Sequence, residues 1–194
     1  MPYLIHADWK EARDNTMIFD VDETIRKRAK TPHELSMLNL VGCHLIAAPA
    51  SIVLDVGLLG FLIPLALSLL VIGFIWYRAG SAAAHDDWFV AAHWRLSANR
   101  TRILMVGYAI SAVILGMAML ATSGSSKGDI MMVAISRVAV VPTLLTVMVC
   151  FVLESGSIYQ AGRGEVPDGI TKRMPPPESL IIIENAAQEV VDSG

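Results

Sequence analysis

Most of the apolar positions of the chain fall in three stretches, 38–77, 103–122 and 130–153, separated by polar segments of mixed charge. About 20 apolar residues cross the hydrocarbon of a bilayer, so the last two stretches each match one helical span and the first is twice that length. A single formal charge, Asp55, interrupts the first stretch. The pattern there predicts two antiparallel helices, 38–54 and 56–77, with a tight turn at Asp55-Val56-Gly57. The first arm is 17 residues long and carries Asn39, His44, Pro49 and Ser51, so it is short enough either to span or to re-enter. The second ends in Trp76-Tyr77-Arg78, an aromatic and basic anchor of the kind that sits at membrane interfaces.

Positive charge fixes the expected orientation. Lys and Arg number six in 1–37, four in 78–102, one in 123–129 and three in 154–194, with Arg137 inside an apolar stretch. If 38–54 leads out and 56–77 leads back, the well-charged segments all lie on one side, as cytoplasmic segments do. The expected fold is an all-α integral membrane protein with four apolar helical segments, 38–54, 56–77, 103–122 and 130–153, arranged as two hairpins. An N-terminal arm, 1–37, and a tail, 154–194, are both expected in the cytoplasm, with the chain in the inner (plasma) membrane.

The loop between the hairpins begins with the small-residue linker Gly80-Ser81-Ala82-Ala83-Ala84. It continues into 85–101, where Trp88, Phe89, Ala92 and Leu96 share one helical face, and an amphipathic helix lying in the interface is expected there. Trp76, Tyr77, Trp88 and Trp94 are the expected interface anchors. His85 and His93 would lie about 12 Å apart along such a helix, too far to share one ion, so no metal is expected. In the third span, Gly107 with Ser111 and Ala112 with Gly116 are small-residue pairs at helical spacing, which predicts close helix–helix packing. Pro142 predicts a kink in the last span.

Arg137 is the one charge deep in a span, and intramembrane charges are costly. Its expected partners are Asp55 and Asp129, on the same side of the membrane. His44 is the one histidine at membrane depth and a weak candidate for cofactor contact. With no second such histidine to complete a haem pair, a packed and hydrogen-bonded role is favoured and no cofactor is expected. Cys43 and Cys150 read as small buried hydrophobes. A formal charge of −3 argues against nucleic acid as a partner.

In the N-terminal arm, Thr31-Pro32-His33-Glu34 reads as the start of a helix that runs into the first apolar stretch. Upstream, Met17-Ile18-Phe19-Asp20-Val21-Asp22-Glu23-Thr24 resembles the hhhDxDxT motif of the haloacid-dehalogenase-type phosphotransferases. The resemblance implies a nucleophilic carboxylate at Asp20, a general acid/base at Asp22 and Mg²⁺ beside them. It covers eight residues, and that chemistry also needs a parallel sheet, a downstream lysine and further acids. The chain has no βαβ pattern and enters its first apolar stretch about 14 residues after Thr24. Asp20–Thr24 is therefore read as a chance match inside a solvated helix, 14–30, with Met17, Ile18, Val21 and Ile25 at helical spacing. No catalytic residue is expected.

The tail carries Pro175-Pro176-Pro177, an extended linker, and then an apolar element over 179–191 suited to docking. Few polar groups in the spans, packing motifs and cytoplasmic arms together point to a non-enzymatic subunit of a larger inner-membrane complex of the secretion, conjugation or respiratory type. Its expected partners are lipid, other membrane subunits and copies of itself. The alternative is a small transporter or an electron-transfer, quinone-contacting subunit using Arg137 and His44.

Overall fold

The computed structural model describes residues 16–54, 58–123, 128–180 and 182–185. It is mostly helical, with strands β1 (Thr16–Phe19), β2 (Glu165–Pro167) and β3 (Ile182–Asn185). The helices are α1 (Glu23–Asn39), a π-helical segment (Leu40–Ala47), α2 (Ala48–Val53), α3 (Leu58–His85), α4 (Trp88–Thr122), α5 (Gly128–Arg163) and the single turn α6 (Asp168–Thr171). Three helical stretches, Leu62–Ala84, Trp88–Thr122 and Arg137–Arg163, are long and apolar enough to cross a membrane. The protein is a multi-pass membrane protein.

The chain forms two compact units. One gathers the N-terminal arm up to Leu35, Gly73–Ala98 and the tail from Ser155. The other consists of Ser36–Ile72 and Asn99–Glu154.

In the first unit the two arms share a sheet of order β2-β1-β3, antiparallel throughout. Met17 stands opposite Val166 in β2 and opposite Asn185 in β3. The register with β3 shifts between Ile18 and Phe19. Phe19 and Val166 are buried, and the Phe19 ring meets Trp88 edge-on at 5.1 Å. At the end of β1, the Phe19 N–H donates to the carbonyl of Gly164, just before β2, at 2.9 Å. Gly164 has φ +80°, and a Cβ there would lie 2.6 Å from the Phe19 carbonyl oxygen. Glycine is required by both its conformation and this close approach. Ala29, Ala79, Ala82, Ala91, Ala92 and Ala161 fill the interior between larger side chains.

β1 replaces the first part of the helix expected over 14–30, of which 23–30 is helical as expected. Thr16-Met17-Ile18-Phe19 is a β-prone run, and its partners lie about 150 residues later in the chain. The helix then starts at Glu23 and runs through Pro32, rather than starting there. Lys27 pairs with Glu23 at 2.7 Å, one turn along, and holds the Glu23 carboxyl below the usual carboxylate range. Two further expectations change. Residues 80–84 are helical, not a linker, because alanine is the strongest helix former. The helix expected over 85–101 is not a separate interfacial element: α4 continues unbroken to Thr122, with no Gly or Pro between Trp88 and Met105 to stop it.

In the second unit Leu40, Ile72, Leu104, Val147 and Cys150 form the buried core, with Met37, Met105, Tyr108 and Phe151 packed against it. Around it Leu70, Val113, Leu120, Leu145 and Val152 are exposed, an apolar outer surface suited to lipid. The segment 38–54 is helical, changing from α to π to α along its length. The turn at 55–57 lies outside the described residues, as does the tail element beyond Asn185.

Gly164→Ala adds a left-handed alanine and a contact with the Phe19 carbonyl, and is expected to cost the first unit about 2 kcal/mol or more. A fall in the thermal midpoint, followed by tryptophan fluorescence in detergent, checks this; an unchanged midpoint contradicts the β1–Gly164 contact.

Candidate functional site

Three polar arrangements interrupt the apolar packing of the described residues, two in the first unit and one in the second. The first is the corner between α3 and α4. Arg28 on α1 reaches Asp86 through Nη2 at 2.7 Å and Asp87 through Nη1 at 3.0 Å. Arg78 on α3 reaches the other oxygen of Asp86 at 2.7 Å. The Asp86 side chain is 7% exposed, so its charge is held by two guanidinium groups out of bulk water. Arg78 also lies over the ring of Trp94, 5.3 Å from its centroid, and Phe74 meets Trp94 edge-on. The Trp88 indole N–H donates to the carbonyl of Met174 at 3.1 Å, which holds the tail against the start of α4.

The second arrangement is a pair of wholly buried histidines. His33 Nε2 and His93 Nδ1 lie 3.0 Å apart, with the rings perpendicular. Phe89 packs on His93, and the Ser97 hydroxyl donates to the carbonyl of Pro32. Among the described residues no group of three or more His, Cys, Asp or Glu side chains is arranged to hold a metal ion.

The third is a hydrogen-bonded chain in the second unit. His44 Nδ1 lies 3.3 Å from the carbonyl oxygen of Asn39, and its Nε2 is hydrogen-bonded to the Tyr108 hydroxyl. Tyr108 in turn lies 2.7 Å from Ser68 Oγ. Donor and acceptor roles follow from chemistry. A carbonyl only accepts, so Nδ1 carries the proton of the neutral ring. Nε2 then accepts from Tyr108, and the Tyr108 oxygen accepts from Ser68. The rings of His44 and Tyr108 are stacked, 17° from parallel. Nearby, Asn39 is 2% exposed, and neither its amide nitrogen nor its amide oxygen has a hydrogen-bond partner among the described residues.

The residues singled out from sequence fall as follows. Gly107 faces Thr146 so closely that a Cβ there would collide with its side chain, and Ser111 Oγ lies 2.8 Å from Thr143 Oγ1. Ala112 is exposed, and Gly116 has open space where a Cβ would stand. Trp76 and Tyr77 are exposed. Trp94 is buried and Trp88 half-buried, both packed inside the first unit rather than displayed. Arg137 is exposed on α5. Its expected partner Asp55 lies outside the described residues, as does the side chain of Asp129. Asp20 and Asp22 are exposed between β1 and α1, at the end of an antiparallel strand.

Sequence reasoning missed the partners. Tyr108 and Ser68 are polar positions inside apolar spans, a signal that was present, but nothing in the sequence pairs them with His44. His33 stands 60 residues from His93. Glu154 is buried and Arg100 half-buried, and the Arg100 guanidinium donates to the carbonyl of Leu153. No protein-family model matches the chain, and no significant match was found among curated proteins or solved structures.

Asp86→Ala removes the carboxylate that Arg28 and Arg78 share, but Arg28 keeps Asp87 and both guanidinium groups reach solvent, so the expected cost is about 1 kcal/mol. Gly107→Val is expected to separate α4 from α5 and lower the thermal midpoint in lipid. Gly116→Val, whose side chain would enter open space rather than meet another helix, is expected to leave that midpoint within about 2 °C of the parent, since isolated surface changes stay near ±0.5 kcal/mol. Equal effects of the two valines contradict the packing described.

Proposed function

We propose that this chain is a non-enzymatic, multi-pass subunit of a larger inner-membrane assembly, and that its first unit is the docking platform. The observation that carries this reading is the sheet built from both arms. The N-terminal arm supplies the central strand and the tail supplies both flanking strands, so the two ends of the described chain form one folded unit. Its outer strand β3 exposes Ile182 and Ile183, 46% and 61% respectively. An apolar strand at a sheet edge offers backbone hydrogen bonds and side-chain pockets to an added strand.

The same gathering supports a four-segment layout with both described ends on the cytoplasmic side. Residues 16–35, 73–98 and 155–185 belong to one unit, so the intervening stretches leave it and return. These unit-forming segments carry most of the lysines and arginines, which favours the cytoplasm. The non-enzymatic reading is supported by the setting of Asp20 and Asp22, on a small antiparallel sheet unlike the parallel sheet that the phosphotransferase motif needs. The transporter or electron-transfer alternative draws less support, because both ring nitrogens of His44 are engaged within the chain.

Isolation of the tagged chain in mild detergent is expected to recover other membrane proteins in fixed stoichiometry. Ile182→Asp with Ile183→Asp is expected to reduce that recovery at least fivefold while leaving membrane insertion unchanged. Purification of the parent chain alone, in the same detergent, contradicts the reading.

A further inference from the structure

The π-helical segment is unusual in length. It runs for eight residues, Leu40–Ala47, and lies between α-helical turns on both sides. π-Helix occurs mostly as single-turn bulges, and often at functional positions. At its end the Ala48 N–H still donates five residues back, to the carbonyl of Cys43.

Two features favour this wide register. The first is Pro49. In an α-helical register its ring would meet the carbonyl four residues earlier, that of Leu45, and it has no N–H to offer. The second is His44, which is held at both ring nitrogens. Its Nδ1–H donates to the Asn39 carbonyl, on its own helix, and its Nε2 accepts from Tyr108 on α4, which Ser68 on α3 holds in turn. The side chain therefore ties the π segment to two other helices of the same unit. One feature marks the joint as incompletely satisfied. The buried Asn39 amide, at the joint between α1 and the π segment, is left without a partner among the described residues. A buried amide in that condition marks an arrangement that is incompletely satisfied.

We propose that residues 40–47 are a two-state element, with the π register latched by the Ser68–Tyr108–His44 chain and an α-helical register adopted when the latch opens. A one-residue change of register turns α2 by about 100° and moves it about 1.5 Å along its axis. The exposed positions of α2, Pro49, Ala50 and Val53, turn with it. This is a conformational device inside the second unit, independent of whatever docks on the first.

Spin-label distances in lipid nanodiscs test it. Labels at Ala50→Cys and Val113→Cys report the turn of α2, and labels at Leu70→Cys and Val106→Cys report the packing of α3 on α4. Cys43 and Cys150 are replaced by alanine throughout, and all four label sites are exposed. Tyr108→Phe and His44→Leu are each expected to shift the 50–113 distance by roughly 5 Å or more, the reach of a 100° turn on a helix about 10 Å across. The 70–106 distance is expected to stay fixed. Pro49→Ala, which removes the other force favouring the π register, is expected to shift 50–113 in the same direction. Ser68→Ala, the mildest change, is expected to give a smaller shift of the same sign, and it decides the matter if His44→Leu disturbs the 70–106 control. An unmoved 50–113 distance in Tyr108→Phe and Ser68→Ala, with the control distance intact, overturns the latch.

Discussion

A central strand has two edges of backbone N–H and C=O groups, and both must be paired when the strand is covered by packed side chains. β1 is such a strand. Its four residues belong to the N-terminal arm, yet both sets of partners come from far along the chain, β2 on one edge and β3 on the other. That requirement ties the arm to the tail. It places Phe19 against Trp88 and Gly164 against the Phe19 carbonyl. It also draws α1 to the α3–α4 corner, where Arg28 and Arg78 share Asp86. The Phe19–Gly164 and Trp88–Met174 contacts go with it, because both join segments far apart in the sequence.

The second unit answers to a different constraint. Its outer surface is apolar, so the polar groups on its helices have to be satisfied within it. Ser111 and Thr143 bond to each other across α4 and α5. The approach at Gly107 lets those two helices close. The Cys150 thiol donates to the Arg100 carbonyl at 3.5 Å. His44, Tyr108 and Ser68 form a chain in which every donor has an acceptor, and Asn39 is the group left over. The same economy that makes this unit stable in lipid makes one unsatisfied amide conspicuous, and it falls where the helix changes register.

The apolar spans were legible in the sequence because their signal is local: a run of about 20 apolar residues declares itself without reference to anything distant. The helical content and the multi-pass character follow from it. The sheet was not legible. Thr16–Phe19 is only four residues long, and four residues fit a helical face about as well as a strand when the pairing partners are unseen. Pro32 was read as a helix start by its usual preference, but here a helix begun at Glu23 carries through it. Trp88 and Trp94 were read as interface anchors from their position beside a span, whereas Phe19, Arg78 and Phe74 pack against them inside the first unit. In the second unit the individual polar residues were visible, as polar letters in apolar runs. Their mutual arrangement was not, because His44, Ser68 and Tyr108 meet only when three helices are placed side by side.

The dependence of the first unit on β1 is open to a direct chemical measurement. With Cys43 and Cys150 replaced by alanine, Met17→Cys and Val166→Cys stand opposite each other on adjacent antiparallel strands. Mild oxidation of the full-length double variant in native membranes is predicted to give an intramolecular disulfide in high yield. Pairing Met17→Cys instead with Lys172→Cys, beyond α6, is predicted to give little. A failure of the 17–166 pair to cross-link, or equal yields from both pairs, would contradict the union of the arm and the tail in one sheet.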